Sequence, residues 1–189
     1  MRSGIALKLL HPNSISKFLP LYALLIGLTL TSPPMGTVSA QPPPIDHRLG
    51  AVEAFRFPEG ATEARVGWQR VLFWWRGLQP DGPNDWNPFY FPDGTLNEEL
   101  AAGREIIGAL SNPPDWANGH QGPAGVPNGL FLPYDDPDNL WGQFVTKIVS
   151  RYKGSIDHWV IWNEPDVWST EQPGYTWQGS VEEFYQLLK

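Results

Sequence analysis

Near its C-terminal end the chain runs Ile156-Asp157-His158-Trp159-Val160-Ile161-Trp162 and then breaks into Asn163-Glu164-Pro165. A glutamate that follows so apolar a run either emerges into water or is presented at the mouth of a pocket. In the second case its chemistry is proton transfer. A carboxyl whose pKa is raised by burial or by a second carboxylate can give and take a proton near neutral pH. Other reactive chemistries find less support. The chain has no cysteine, so thiolate nucleophiles, thiolate metal sites and disulfides are excluded. Its four histidines show no HExxH or paired spacing, so nothing in the pattern asks for a metal or any other cofactor.

A strand must deliver Glu164 to such a position, and Ile156–Trp162 has the apolar, β-branched and aromatic make-up of one. Three earlier stretches read the same way: Leu49–Phe55, Val66–Trp75 and Glu105–Leu110. Between them lie helical signals. Thr95 followed by Glu98 forms a capping-box pattern that opens a helix through Ala102. Asp136-Pro137 offers an N-cap with proline at the first helical position. From there Leu140, Trp141, Phe144, Val145, Ile148, Val149 and Tyr152 recur at helical spacing, and Gly154 stands at the C-terminal cap. Ser180 and Glu183 form a second capping box before Val181, Phe184, Tyr185 and Leu188. Strands alternating with helices predict a parallel sheet built from βαβ units. In such sheets ligands bind beyond the carboxyl ends of the strands, where Asn163 and Glu164 would lie. Two long Gly- and Pro-rich loops, after the second and third strands, would rise on that same side.

The first forty residues differ from the rest. Arg2, Lys8 and Lys17 precede the apolar run 18–31, and Val38-Ser39-Ala40 has the small residues of a cleavage site. Residues 1–40 are therefore expected to be a signal peptide, residues 41–48 a proline-rich leader, and the protein secreted. The apolar run falls short of the roughly 20 residues that span a bilayer, so no membrane association is expected after cleavage. Three of the thirteen Lys and Arg precede residue 41, leaving ten against twenty acids, a net charge of −10. That acidity argues against nucleic acid and anionic lipid as partners.

Trp162-Asn163-Glu164-Pro165, after a strand beginning Ile156-Asp157-His158-Trp159, resembles the acid/base motif of the clan A glycoside hydrolases. Arg70 in GWQRVLFWW resembles the arginine these enzymes carry on strand two. Residues 99–117, ELAAGREIIGALSNPPDWA, with the helix ending SRYKG, are similar to the third βα unit of the family 39 and family 5 relatives. The resemblance spans residues 49–189 and implies an α/β fold, a (β/α)8 TIM barrel cut to about its first four βα units. It also implies a secreted, retaining glycosidase acting on β-linked poly- or oligosaccharides.

By that resemblance Glu164 is the acid/base, Asn163 binds the sugar 2-hydroxyl, and Arg70 holds the nucleophile carboxylate. Trp74, Trp75, Trp116 and Trp168, at strand ends or in loops of the expected active side, would cover the apolar faces of sugar rings. Trp141 and Trp159 fit the core instead. The clan's nucleophile is a glutamate after strand seven, which four βα units do not include. Glu53, Asp85 and Asp115 carry no motif for that role. Half a barrel would leave strands one and four as open edges available for self-association. Two other readings compete: a non-catalytic carbohydrate-binding protein on a degenerate barrel, and a metal-dependent hydrolase using His120 and His158.

Overall fold

The computed structural model describes residues 44–189 apart from Trp168 and Thr170. The expected signal peptide, residues 41–43 of the leader and Trp168 lie outside the described residues. The elements in chain order are β1 (Asp46–Val52), α1 (Pro58–Glu63), β2 (Val66–Trp74), α2 (Trp75–Leu78), α3 (Asp93–Ala101), β3 (Glu105–Ser111), α4 (Asp115–Asn118), α5 (Leu140–Arg151), β4 (His158–Ile161) and α6 (Val181–Leu187). The fold is α/β. The sheet of the described residues has the order β1-β2-β3-β4, with every neighbouring pair parallel.

Local chemistry explains the elements and several shifts from the expected boundaries. β1 begins at Asp46, inside the expected leader, because the Asp46 amide donates to the Arg65 carbonyl at 2.8 Å. Hydrogen bonds from Arg48 hold the Asp46 carboxyl down at about 2. The strand ends early, at Val52, because Glu53 adopts a left-handed conformation (φ 50°) and turns the chain into a 3-10 turn at Ala54–Arg56. α3 starts two residues before the expected capping box. Pro92 enters in an extended conformation and Asp93 occupies the first turn, which leaves Thr95 inside the helix. α5 is capped by Asn139, whose Oδ1 accepts from the Gly142 amide at 2.9 Å, rather than by Asp136. Gly142 must be glycine there, because a Cβ would lie 2.2 Å from the Tyr134 carbonyl oxygen. The second capping box is present as expected, with Ser180 and Glu183 each satisfying the other's backbone amide.

The alternation of β2 divides the molecule into two sides. Gln69, Val71 and Phe73 point into the helix layer, joined through the register by Ile106 and Leu110 of β3. Phe144, Ile148 and Tyr152 of α5 and its C-cap close this core. Trp159 packs here too, its ring across Gly108, where a Cβ would come within 2.3 Å of the indole. The opposite face carries Val52, Trp68, Arg70, Leu72, Trp74, Ile107 and Val160. Val52 is 54% exposed, Trp74 45% and Val160 39%. All-parallel sheets are ordinarily covered on both faces.

Two polar assemblies hold this frame. Behind β2 the buried Glu99 carboxylate accepts from Arg104 Nε at 2.7 Å, from Arg104 Nη2 at 2.9 Å and from Gln69 Nε2. Gln69 in turn accepts the Phe55 amide at 3.1 Å, so the network fixes the turn that leaves β1. At the far end of β2 the Tyr90 hydroxyl accepts from the Trp74 amide at 3.1 Å and donates to the Leu72 carbonyl at 2.9 Å. Those two groups face the side β1 has already left, so one phenol stands in for the missing strand residue.

Candidate active site at the carboxyl end of the sheet

Beyond Ile161 the ladder continues for one more bond, from the Trp162 amide to the Leu110 carbonyl at 2.7 Å. Strict alternation would send the Trp162 side chain to the open face. Its φ of 71° instead swings the indole into the helix layer, where it is buried. There it meets Trp177 edge-on at 4.9 Å and Trp141 at 6.2 Å. Glu164 is also left-handed, with φ 50°. Non-glycine residues in this region are strained and persist only where the surroundings hold them. Glu53 and Asn112, just past the ends of β1 and β3, have positive φ as well, so this backbone conformation recurs along the carboxyl edge of the sheet.

Glu164 is exposed at the apex of the turn and Asn163 is half-buried beside it. Asn163 Nδ2 donates to Glu164 Oε2 at 3.2 Å. The turn closes through the Val167 amide, which donates to the Glu164 carbonyl at 3.0 Å. Thr176 braces it from outside. Its hydroxyl donates to the Glu164 carbonyl, its carbonyl accepts from Trp162 Nε1 at 2.7 Å, and its amide donates to the Val167 carbonyl at 2.8 Å. An amide and a carboxylate held side by side in solvent can bind a hydroxyl-rich ligand through donor and acceptor together.

Arg70 is not beside them. Through Ile107 it lies level with His158, two strand spacings and so about 10 Å from β4, several residues short of Glu164. Its neighbours on the open face are Trp68, Leu72, Val52 and Ile107. Its Nε is buried with no hydrogen-bond partner among the described residues. This guanidinium can therefore bind a carboxylate brought to the open face.

The tryptophans separate into two groups. Trp74 stands exposed at the end of β2, facing the open side. Trp75 does not line a subsite as expected. One residue further along the alternation, it is fully buried in the core, stacked 4.6 Å from Phe144, with Nε1 donating to Gln79 at 2.8 Å. Trp116 is also drawn to the helix layer, edge-on to Trp75 at 5.6 Å and bonded to the Gln79 carbonyl at 2.9 Å. Trp141 is in the core and Trp159 packs against it, as expected.

The acids without a motif are engaged elsewhere. Glu53 is paired with Arg56 at 2.6 Å, and three strand spacings, about 14 Å, separate β1 from β4. Asp85 caps the amides of Trp86 and Asp81, and Asp115 occupies the first turn of α4. His120 and His158 are both exposed, and no group of three or more metal-ligating side chains is assembled among the described residues. No helix among them is long and apolar enough to cross a membrane.

Sequence reasoning missed Thr176, Trp177 and Tyr90. Thr176 and Trp177 lie in a stretch without periodicity, and the only signal was an aromatic among small polar residues. Tyr90 was one of several aromatics in NPFYF, with nothing to mark it as the one turned toward β2. No known protein family, no curated protein and no solved structure matches this chain.

Proposed function

We propose that this chain is the first half of a (β/α)8 barrel from a secreted, retaining glycoside hydrolase acting on β-linked poly- or oligosaccharides. The observation that carries the reading is Glu164. It is a carboxylate with no ion-pair partner among the described residues, just past the carboxyl end of a parallel strand, with an amide at its side and its backbone braced in a strained turn. In this reading Glu164 protonates the leaving oxygen and then deprotonates the attacking water, while Asn163 holds the 2-hydroxyl. The retaining reaction needs a second carboxylate about 5–5.5 Å from the first. Strands beyond β4 would supply it, cover the open face, and give Arg70, whose Nε has no partner among the described residues, its carboxylate. Trp74 would present its indole to a sugar ring at the rim.

The exposure of Glu164 favours a second reading, a non-catalytic carbohydrate-binding protein. The two are separated by Glu164→Gln in the gene product that contains this chain. Loss of hydrolysis of β-linked oligosaccharides by about a thousandfold or more, with binding retained, supports the glycosidase. Oligosaccharide binding that Glu164→Gln leaves unchanged, with no hydrolysis by the parent protein, supports the binding protein and sinks the enzyme.

A further inference from the structure

We propose that Thr176 is the positioning residue for Glu164, an inference that rests on reading Glu164 as the acid/base. Two left-handed residues, Trp162 and Glu164, flank Asn163, and each needs an external hold. Thr176 touches both. Its carbonyl takes the Trp162 indole N–H at 2.7 Å and its hydroxyl donates to the Glu164 carbonyl. A third bond, from its amide to the Val167 carbonyl at 2.8 Å, ties it to the far side of the turn. No other residue described here bonds to Trp162, Glu164 and Val167 together.

The brace is itself anchored. Trp177 is buried against Trp162 and Phe184. Gln178 donates its amide to the Ala124 carbonyl at 3.0 Å and its Nε2 to Gln121 Oε1 at 2.9 Å, in the loop between α4 and α5. The Glu164 backbone is thus referred, through Thr176, to the loop between α4 and α5 rather than only to its own strand. A general acid works only from within hydrogen-bond reach of the atom it protonates, and displacements near 1 Å are costly. A hydroxyl that fixes the carbonyl of that same residue therefore acts on catalysis without touching substrate.

The test compares Thr176→Val, which keeps the shape and removes the hydroxyl, with Thr176→Ser, which keeps the hydroxyl. On the chain itself, NMR follows the Glu164 side-chain carboxyl carbon, the Val167 amide and the Trp162 indole proton. The valine variant is expected to shift the Glu164 and Val167 signals, and serine to restore them. In the hydrolysing gene product, valine is expected to lower kcat by about ten- to a hundredfold with KM within about twofold, and serine to restore it. Where the valine variant does not fold, Thr176→Ala replaces it in both measurements. Unmoved Glu164 and Val167 signals, or a kcat loss that serine fails to rescue, would overturn the proposal. If the signals move as expected but Glu164→Gln hydrolyses normally, the brace stands and the acid/base reading of Glu164 is what has failed.

Discussion

Glu99→Gln removes one charge and almost no volume from the interior, which makes it a sensitive probe of what holds β1, β2 and α3 together. Glu99 and Arg104 each keep only 3% of their side-chain surface in solvent. The three bonds into the Glu99 carboxylate all come from donors: Arg104 Nε, Arg104 Nη2 and Gln69 Nε2. Glutamine offers one acceptor oxygen in place of two and turns an N–H₂ toward groups that are themselves donors. Arg104, whose pKa is raised by its hydrogen bonds to Glu99, stays charged and loses its counterion inside the protein. Breaking a buried pair in this way costs about 3–5 kcal/mol. A domain of this size loses about 2–4 °C in Tm per kcal/mol, so Tm should fall by about 6–20 °C. Urea denaturation followed by tryptophan fluorescence measures the free energy directly. The double variant Glu99→Leu with Arg104→Met removes both charges and should recover most of the loss, short of the penalty for an unbonded Gln69 amide. A Glu99→Gln protein within about 1 kcal/mol of the parent would refute the reasoning.

Other outcomes follow from the same geometry. Tyr90→Phe leaves the Trp74 amide and Leu72 carbonyl without their shared partner; it should cost about 1–3 kcal/mol in urea denaturation and speed amide exchange at Trp74. The phenols of Tyr90 and Tyr152 are both raised above 10.0, chiefly by burial. Their contribution to stability is complete below pH 10.0 and is lost as pH rises through their folded values, so Tm should decline there in step with a delayed phenolate absorbance near 295 nm. Gly108→Ala would drive a methyl into the Trp159 ring, which approaches to 2.3 Å, and should destabilise by about 1–3 kcal/mol. The uncovered face with Val52, Trp74 and Val160 should make the isolated chain self-associate with rising concentration. Light scattering after size exclusion should show Val160→Lys reducing that association, and an unchanged profile would count against the exposed face as its cause.

The regular parts of this fold were legible because they depend on short-range pattern. A run of β-branched and aromatic residues marked β2, and a 3.6-residue period marked α5. Ser180 with Glu183 marked the start of α6, because a capping box is satisfied within one turn of chain. Neighbouring positions of a strand face opposite sides, which is what separates Trp74 from Trp75. Both were nonetheless expected at the rim, because a tryptophan's function is not written in its type.

What was less legible depends on partners far away along the chain. Asn139 rather than Asp136 caps α5, its Oδ1 accepting from the Gly142 amide while its Nδ2 donates to the Leu132 carbonyl seven residues earlier, a bond that helical periodicity does not encode. The turn carrying Glu164 is held by Thr176, twelve residues on, and Tyr90 completes β2 from sixteen residues away. The Gln69–Glu99–Arg104 network joins a strand to a helix thirty residues later. The sequence by itself determined a parallel α/β chain with a carboxylate and an amide at the end of its fourth strand. Only the tertiary structure decided which way that carboxylate's neighbours turn, which tryptophans enter the core, and that Arg70 stands apart from Glu164 with its Nε unbonded among the described residues. The physical reason is that side-chain direction near a strand end follows from backbone angles imposed by distant hydrogen bonds, and these cannot be read from neighbouring residues alone.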